Sequence, residues 1–400
     1  MKFTRLSRGT LASMMTLATL LGLSACARDY TVAYLYMTGS NQGAAGALTA
    51  YAIDFQQGSL VRIGSPVPTG TTPISIVTSP NGLFLYVVNQ GDSSVQEFAV
   101  QGDGTAVSKN TYKTTGSLPT AAAIDHSGKF LYVTYTYQTG FSAATPGPGG
   151  ISIFPINADN SLGTPSNVNV GNKPVAITAS NLSNFVYVVD QEVSPNAVVL
   201  GFAENATSGA LTPLSGTVIT TVAGKTVATG YAVGTTPSAI AEDPTSRFVY
   251  ITDQATNQLY GKVVQADGSL LSMVNGPFPT GLFPLGITID PRGKFLYVSN
   301  FNAGTVGAYA IDQATGTPAN SNGSTAVPVK FGPTCLTIEP ALGIYLFVSN
   351  QLDGTVSGLK LDPHNGGLTT IQNSPFPGSG TPTCVASAPN GSHATQIVQP

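Results

Sequence analysis

One stretch of sequence, residues 284–311, recurs along the chain and constrains the fold more than any other feature. It reads as three short strands, at 285–289, 295–299 and 305–311. Within the second strand Phe295 and Tyr297 alternate with Leu296 and Val298, the period of two that gives a strand two apolar faces. Pro291-Arg292-Gly293 makes the first turn, because Pro fixes φ and Gly accepts a positive φ; residues 300–304 make the second. The Pro that opens the unit recurs as Pro73, Pro119, Pro174, Pro237, Pro284, Pro333 and Pro382, at intervals of 46–63 residues. Each interval holds one four-stranded propeller blade, some with insertions.

The second strands repeat as Phe84-Leu85-Tyr86-Val87, Phe130-Leu131-Tyr132-Val133, Phe185-Val186-Tyr187-Val188, Phe248-Val249-Tyr250-Ile251, Phe295-Leu296-Tyr297-Val298 and Tyr345-Leu346-Phe347-Val348. Tyr34-Leu35-Tyr36-Met37 precedes them with no first strand ahead of it, and 382–388 is a first strand with no clear second. Six full repeats and one split between the ends predict an all-β, seven-bladed β-propeller of four-stranded antiparallel blades. Pairing of the N- and C-terminal strands closes the ring and hides its sheet edges. Composition agrees: only 9% of residues are charged, Gly (45) and Pro (28) are abundant, and 42% are hydrophobic. With a net charge of −3 and no basic run, nothing suggests nucleic acid, and no nucleic-acid partner is expected.

Residues 1–26 read as a targeting segment. Lys2, Arg5 and Arg8 precede an apolar run at 11–23, too short to span a bilayer comfortably. The run ends Leu23-Ser24-Ala25-Cys26, which matches the bacterial lipoprotein box with Cys26 as the lipidated N-terminus. Residues 27–33 are then a short tether and 34–400 the propeller. Ala27 after the Cys favours the outer membrane, so the expected location is the cell envelope, lipid-anchored and facing the periplasm or the cell surface. The remaining cysteines, Cys335 and Cys384, occupy the same slot in consecutive repeats. Equivalent residues on successive blades point the same way round the ring, so two small buried thiols are expected in preference to a disulfide.

The Phe-Leu-Tyr-Val-x-Asn pattern, the Gly-x-Leu turns at Gly58, Gly209 and Gly268, and the connectors Gly276-Pro277-Phe278-Pro279 and Ser374-Pro375-Phe376-Pro377 carry a family resemblance. From about residue 30 onward the chain resembles the seven-bladed propellers typified by 6-phosphogluconolactonase, and the related repeats named for Tyr-Val-Thr-Asn. The resemblance implies a lactone hydrolase with His, Arg and acidic side chains around the centre of one face, commonly with His directly after the blade-opening Pro. Here those seven slots hold Ile74, Thr120, Val175, Ser238, Leu285, Thr334 and Thr383.

In a meander, the connectors between strands two and three share one face, the top, with the connectors between blades. The long insertions, at 135–150, 190–196 and 215–236, all fall there, the last reading as an extra hairpin. Asn89, Tyr135, Asp190, Asp253, Asn300 and Asn350 each follow a second strand, where Asn and Asp commonly set turns. Asp190, Glu192 and Asp253 are the candidates for acid–base chemistry. Tyr135, Lys173 and Lys330 are the candidates for ligand contact. His126, His364 and His393 sit in bottom-face turns and cannot converge with these. No metal site and no cofactor is expected. Two functions follow: a non-catalytic cell-envelope binding or scaffold propeller, or a lactone hydrolase. The expected partners are a small neutral lactone, a glycan or an envelope protein, with membrane contact by the lipid anchor only, in a chain expected to be monomeric.

Overall fold

The computed structural model describes residues 30–191, 197–222, 225–321, 326–391 and 396–400. The expected lipidation site Cys26, with Glu192 and His393, lies outside the described residues. Seven antiparallel sheets surround one channel. The inner strands are Pro73–Thr78, Gly116–Ile124, Pro174–Ala179, Pro237–Glu242, Pro284–Ile289 and Pro333–Ile338 in blades 2 to 7, and Thr381–Pro389 in blade 1. That last strand pairs with Thr31–Asn41, Tyr36 opposite Ala386, so the two ends of the chain seal the ring within one sheet. The sheet begins at Thr31, inside the segment expected as tether.

Each second strand is fully sandwiched between neighbouring blades. Its Tyr hydroxyl leaves that apolar layer by donating to a carbonyl in the three-four turn of the next blade. Tyr36 donates to Gly104 O (2.9 Å), Tyr187 to Gly268 O (2.9 Å), Tyr250 to Gly316 O (2.6 Å) and Tyr297 to Gly366 O (3.1 Å). Blade 7 exchanges the order to Tyr345-Leu346-Phe347, and there Tyr345 donates to Phe55 O of blade 1 (2.9 Å). The Gly of the Gly-x-Leu turn is dictated by the same contact. Gly366 has φ +73°, and a Cβ on it would overlap the Phe295 ring. Apolar side chains fill the rest of each interface, as Phe130, Ile151, Val188 and Phe202 do between blades 3 and 4. Burial of each such side chain stabilises by roughly 1.5–3 kcal/mol.

The Phe-Pro connectors do not run straight to the next blade. Phe278–Pro279 and Phe376–Pro377 first pair back onto the third strands, opposite Leu259 and Val356. The insertion after blade 4 folds as the expected hairpin, Val218–Val222 with Lys225–Thr229.

The cysteines depart from expectation. Cys335 and Cys384 form a disulfide, with Cα atoms 4.8 Å apart. The inner strands converge on a narrow axis, so equivalent residues of adjacent blades meet at the channel wall, within bridging range. The expectation of separate thiols rested on equivalent residues pointing the same way round the ring and left out this convergence.

Candidate functional site

The upper channel, about 360 Å³, is walled by the residues after the blade-opening prolines. Ile74, Thr120, Val175, Ser238, Leu285 and Thr334 line it, and among the described residues none that lines it is charged. Three of its hydroxyls are engaged. Thr120 Oγ1 donates to Pro174 O of the next blade (2.8 Å), and Ser238 Oγ to Pro284 O (2.7 Å). Thr334 Oγ1 donates to Thr383 O (3.1 Å). Two amides continue the ring of stitches: Gln90 donates to Pro119 O (3.2 Å) and Gln191 to Pro237 O (2.6 Å). The lower channel is larger, about 630 Å³, and reaches the bottom-face turn of Asp125 and His126. Asp125 is itself a turn cap, accepting from Lys129 N (2.7 Å) and Phe130 N (2.6 Å).

The candidate acids lie beneath the top surface. Asp190 and Asp253 are fully buried. Asp253 accepts from Thr235 N (2.7 Å), Thr236 N (3.2 Å) and Ala255 N (3.0 Å), so it caps both its own turn and the incoming connector. Asp190 accepts from Lys173 N at 3.2 Å, and a Cβ on Gly171 would overlap its carboxylate. The equivalent Asn300 and Asn350 bond differently: their Nδ2 groups donate to Thr305 Oγ1 (3.2 Å) and Thr355 Oγ1 (3.0 Å), and their buried Oδ1 atoms accept no hydrogen bond among the described residues. Among the described residues no three His, Cys, Asp or Glu side chains converge as metal ligands.

The ligand-contact candidates separate. Tyr135 is only 1% exposed; its ring lies over Gly116 and Gly150, and burial raises its pKa, so it is a core residue and not a surface contact. Lys330 is exposed on the connector into blade 7, beside the exposed Phe331. Lys173 is exposed and lines a top-face cleft of about 370 Å³ with Thr136, Tyr137, Pro146, Asn172, Gln191, Thr235 and Thr236. Lys330 does not line this cleft. Sequence reasoning took Tyr135 and missed Tyr137. The available signal was length: the second strand of blade 3, Phe130–Gln138, runs nine residues where most others run six, and so lifts Tyr137 onto the top face.

Comparison with known proteins agrees with this architecture. The family model described as "Lactonase, 7-bladed beta-propeller" matches residues 34–175 and 217–338. A 6-phosphogluconolactonase of Serratia proteamaculans is 26% identical over 288 residues, 62% of this chain and 83% of that protein. One of Yersinia pestis is 35% identical over 98 residues, 24% of this chain and 28% of that protein. Among solved structures, the periplasmic gluconolactonase of Pseudomonas aeruginosa superposes with a TM-score of 0.70 at 19% identity, covering 90% of this chain and 99% of that one. The chain belongs to the seven-bladed β-propeller lactonase family.

Proposed function

We propose that this chain is a cell-envelope propeller that binds a glycan or an envelope protein through its top face, and that it is not an efficient lactone hydrolase. One observation carries the reading: among the described residues the upper channel presents Thr, Ser and aliphatic side chains and no charge. Lactone hydrolysis needs an activated water and a stabiliser for the developing oxyanion. The candidate carboxylates, Asp190 and Asp253, are buried and bonded to backbone N–H groups. A second reading, a hydrolase acting at the mouth of the channel, is favoured by family membership and by the activity named for the relatives. The test is hydrolysis of 6-phosphogluconolactone and of an uncharged sugar lactone above the spontaneous rate. The expected result is no turnover of the phosphorylated lactone, since a phosphate ester site normally offers Arg, Lys or several N–H groups aimed at it. Efficient turnover of that substrate overturns the reading.

The envelope location rests on the lipoprotein box at Cys26. Cys26→Ser is expected to abolish lipidation and release the protein from membranes or leave it unprocessed. Unchanged membrane fractionation and an unchanged mature mass would sink this part of the proposal.

A further inference from the structure

We infer that the top-face cleft between blades 3, 4 and 5 binds a carboxylated sugar, with Lys173 on the carboxylate and Tyr137 against the sugar ring. The inference rests on the reading of the top face as a binding surface and names the ligand class for it. The cleft's volume, about 370 Å³, is at the small end of the range for ligand pockets, about 300–1,000 Å³, and suits one or two sugar rings. Its floor is fixed from below. Asp190 holds the backbone of Lys173 (3.2 Å), and Lys173 O accepts from Gln191 N (3.0 Å). Asp253 holds the backbone of Thr235 (2.7 Å), and the Gln191 amide is tied to Pro237 O (2.6 Å). One wall is the raised end of the blade 3 strand, where Gln138 is bonded to Pro148 O (3.0 Å) and Gly149 O (3.0 Å), so the loop bearing Pro146 is anchored beside Tyr137.

The lining chemistry selects the ligand. Tyr137 and Pro146 offer flat apolar surface, which suits the C–H face of a pyranose. Asn172 and the Thr235 and Thr236 hydroxyls offer neutral donors and acceptors for ring hydroxyls. Among the described residues Lys173 is the one charged residue lining the cleft, and no described carboxylate pairs with it within 4.0 Å. One compact cation matches one carboxylate. A phosphate dianion would call for a denser set of donors. A free hexuronate and a uronate ring within a glycan share this chemistry.

The test is calorimetric titration of the full-length protein with galacturonate, with trigalacturonate and with the neutral galactotriose, at low and high salt. Trigalacturonate or galacturonate should bind at least about tenfold more tightly than galactotriose, a difference of about 1.4 kcal/mol. Lys173→Met should erase that preference, and Tyr137→Ala should weaken all binding about tenfold, both without change in melting temperature. Salt should weaken the acidic ligands alone. Equal binding by monomer and trimer identifies a free sugar acid as the ligand, and tighter binding by the trimer identifies a glycan; either supports the inference. Equal affinity for galactotriose, indifference to Lys173→Met, or no binding of any of the three overturns it. If none binds, no lactone is hydrolysed, and isolated envelope polymer is retained equally by wild type and Lys173→Met, the ligand class falls while the binding-propeller reading stands. If none binds and the phosphorylated lactone is turned over, both fall.

Discussion

Tyr297 and Gly366 form one instance of the stitch that repeats around the ring, and the two residues should differ in sensitivity. Tyr297→Phe removes the donor to Gly366 O while keeping the ring in place, so the loss should be about 1–3 kcal/mol, the cost of a buried carbonyl left without its partner. Burial also pushes the Tyr297 hydroxyl far above its ordinary pKa, so it stays protonated as a donor at any working pH. Gly366→Ala should cost more, because Ala is strained at φ +73° and its Cβ must displace the Phe295 ring. Urea unfolding of the two variants tests this; a Gly366→Ala protein as stable as wild type would refute the steric account. The repeated Phe-x-Tyr and Gly-x-Leu signatures were legible in the sequence because both ends of the stitch recur in most units. Roles set by a single burial event were not. Only the length of the blade 3 strand, Phe130–Gln138, separates Tyr135, folded over Gly116 and Gly150, from Tyr137 two residues on. Local sequence does not reveal that the Asp190 and Asp253 carboxylates turn inward onto backbone N–H groups.

The closing strand, Thr381–Pro389, is the element on which the ring depends. It is hydrogen-bonded to Thr31–Asn41 along its length, and the disulfide from Cys384 to Cys335 ties it to the inner strand of blade 7. Deletion of residues 382–400 would strip blade 1 of its inner strand and expose an unpaired edge. It would also remove the buried Val385, Ala386 and Ala388 from two interblade layers, and with them the Arg292 contact to Val398 O (2.9 Å) on the bottom face. We expect loss of the cooperative transition, measured by circular dichroism on heating; a truncated protein that melts like the full-length chain would show that the ends do not close the ring. The split repeat made this strand legible before its partner was seen, because an inner strand without a second strand must find one at the other end of the chain. The disulfide escaped the same reasoning, since the distance between equivalent inner-strand residues depends on how narrow the channel is. That width is set by packing across seven interfaces, and no single repeat encodes it.

Across the whole molecule the few ionisable groups divide into two populations with opposite effects on acid stability. Asp103, Asp159, Asp267 and Asp312 cap their own turns and Asp92 holds the connector at Thr71, and hydroxyl and backbone N–H bonds hold their carboxyls below the usual 3.8. Their contribution is present above that value and is lost as pH falls through their lowered range. Glu204, Glu242 and Glu339 are buried, and burial raises their carboxyls above the usual 4.5. Glu204 is pushed up to about 7, first by burial and then by the charge of Asp125, with the Tyr132 hydroxyl partly opposing the change. A raised carboxyl contributes stability that is complete below 4.5 and is lost as pH rises through about 7, because the folded state holds the proton that the unfolded chain releases. Lys262 acts at the other end: burial lowers its ammonium to about 8 from the usual 10.5, so stability recovers as pH rises through that interval. The melting temperature should therefore peak in mild acid, between the aspartate limb and the glutamate limb. Glu204→Gln isolates one component. The amide mimics the protonated acid, so the variant should lose part of the decline between 4.5 and 7 and equal or exceed wild type above that window. Each pH unit of that window is worth about 1.36 kcal/mol, which bounds the gain at about 3 kcal/mol, and solvent screening at the bottom face reduces it. Thermal unfolding of both proteins across the window decides the matter: parallel curves for wild type and variant would mean that Glu204 does not hold its proton in the fold.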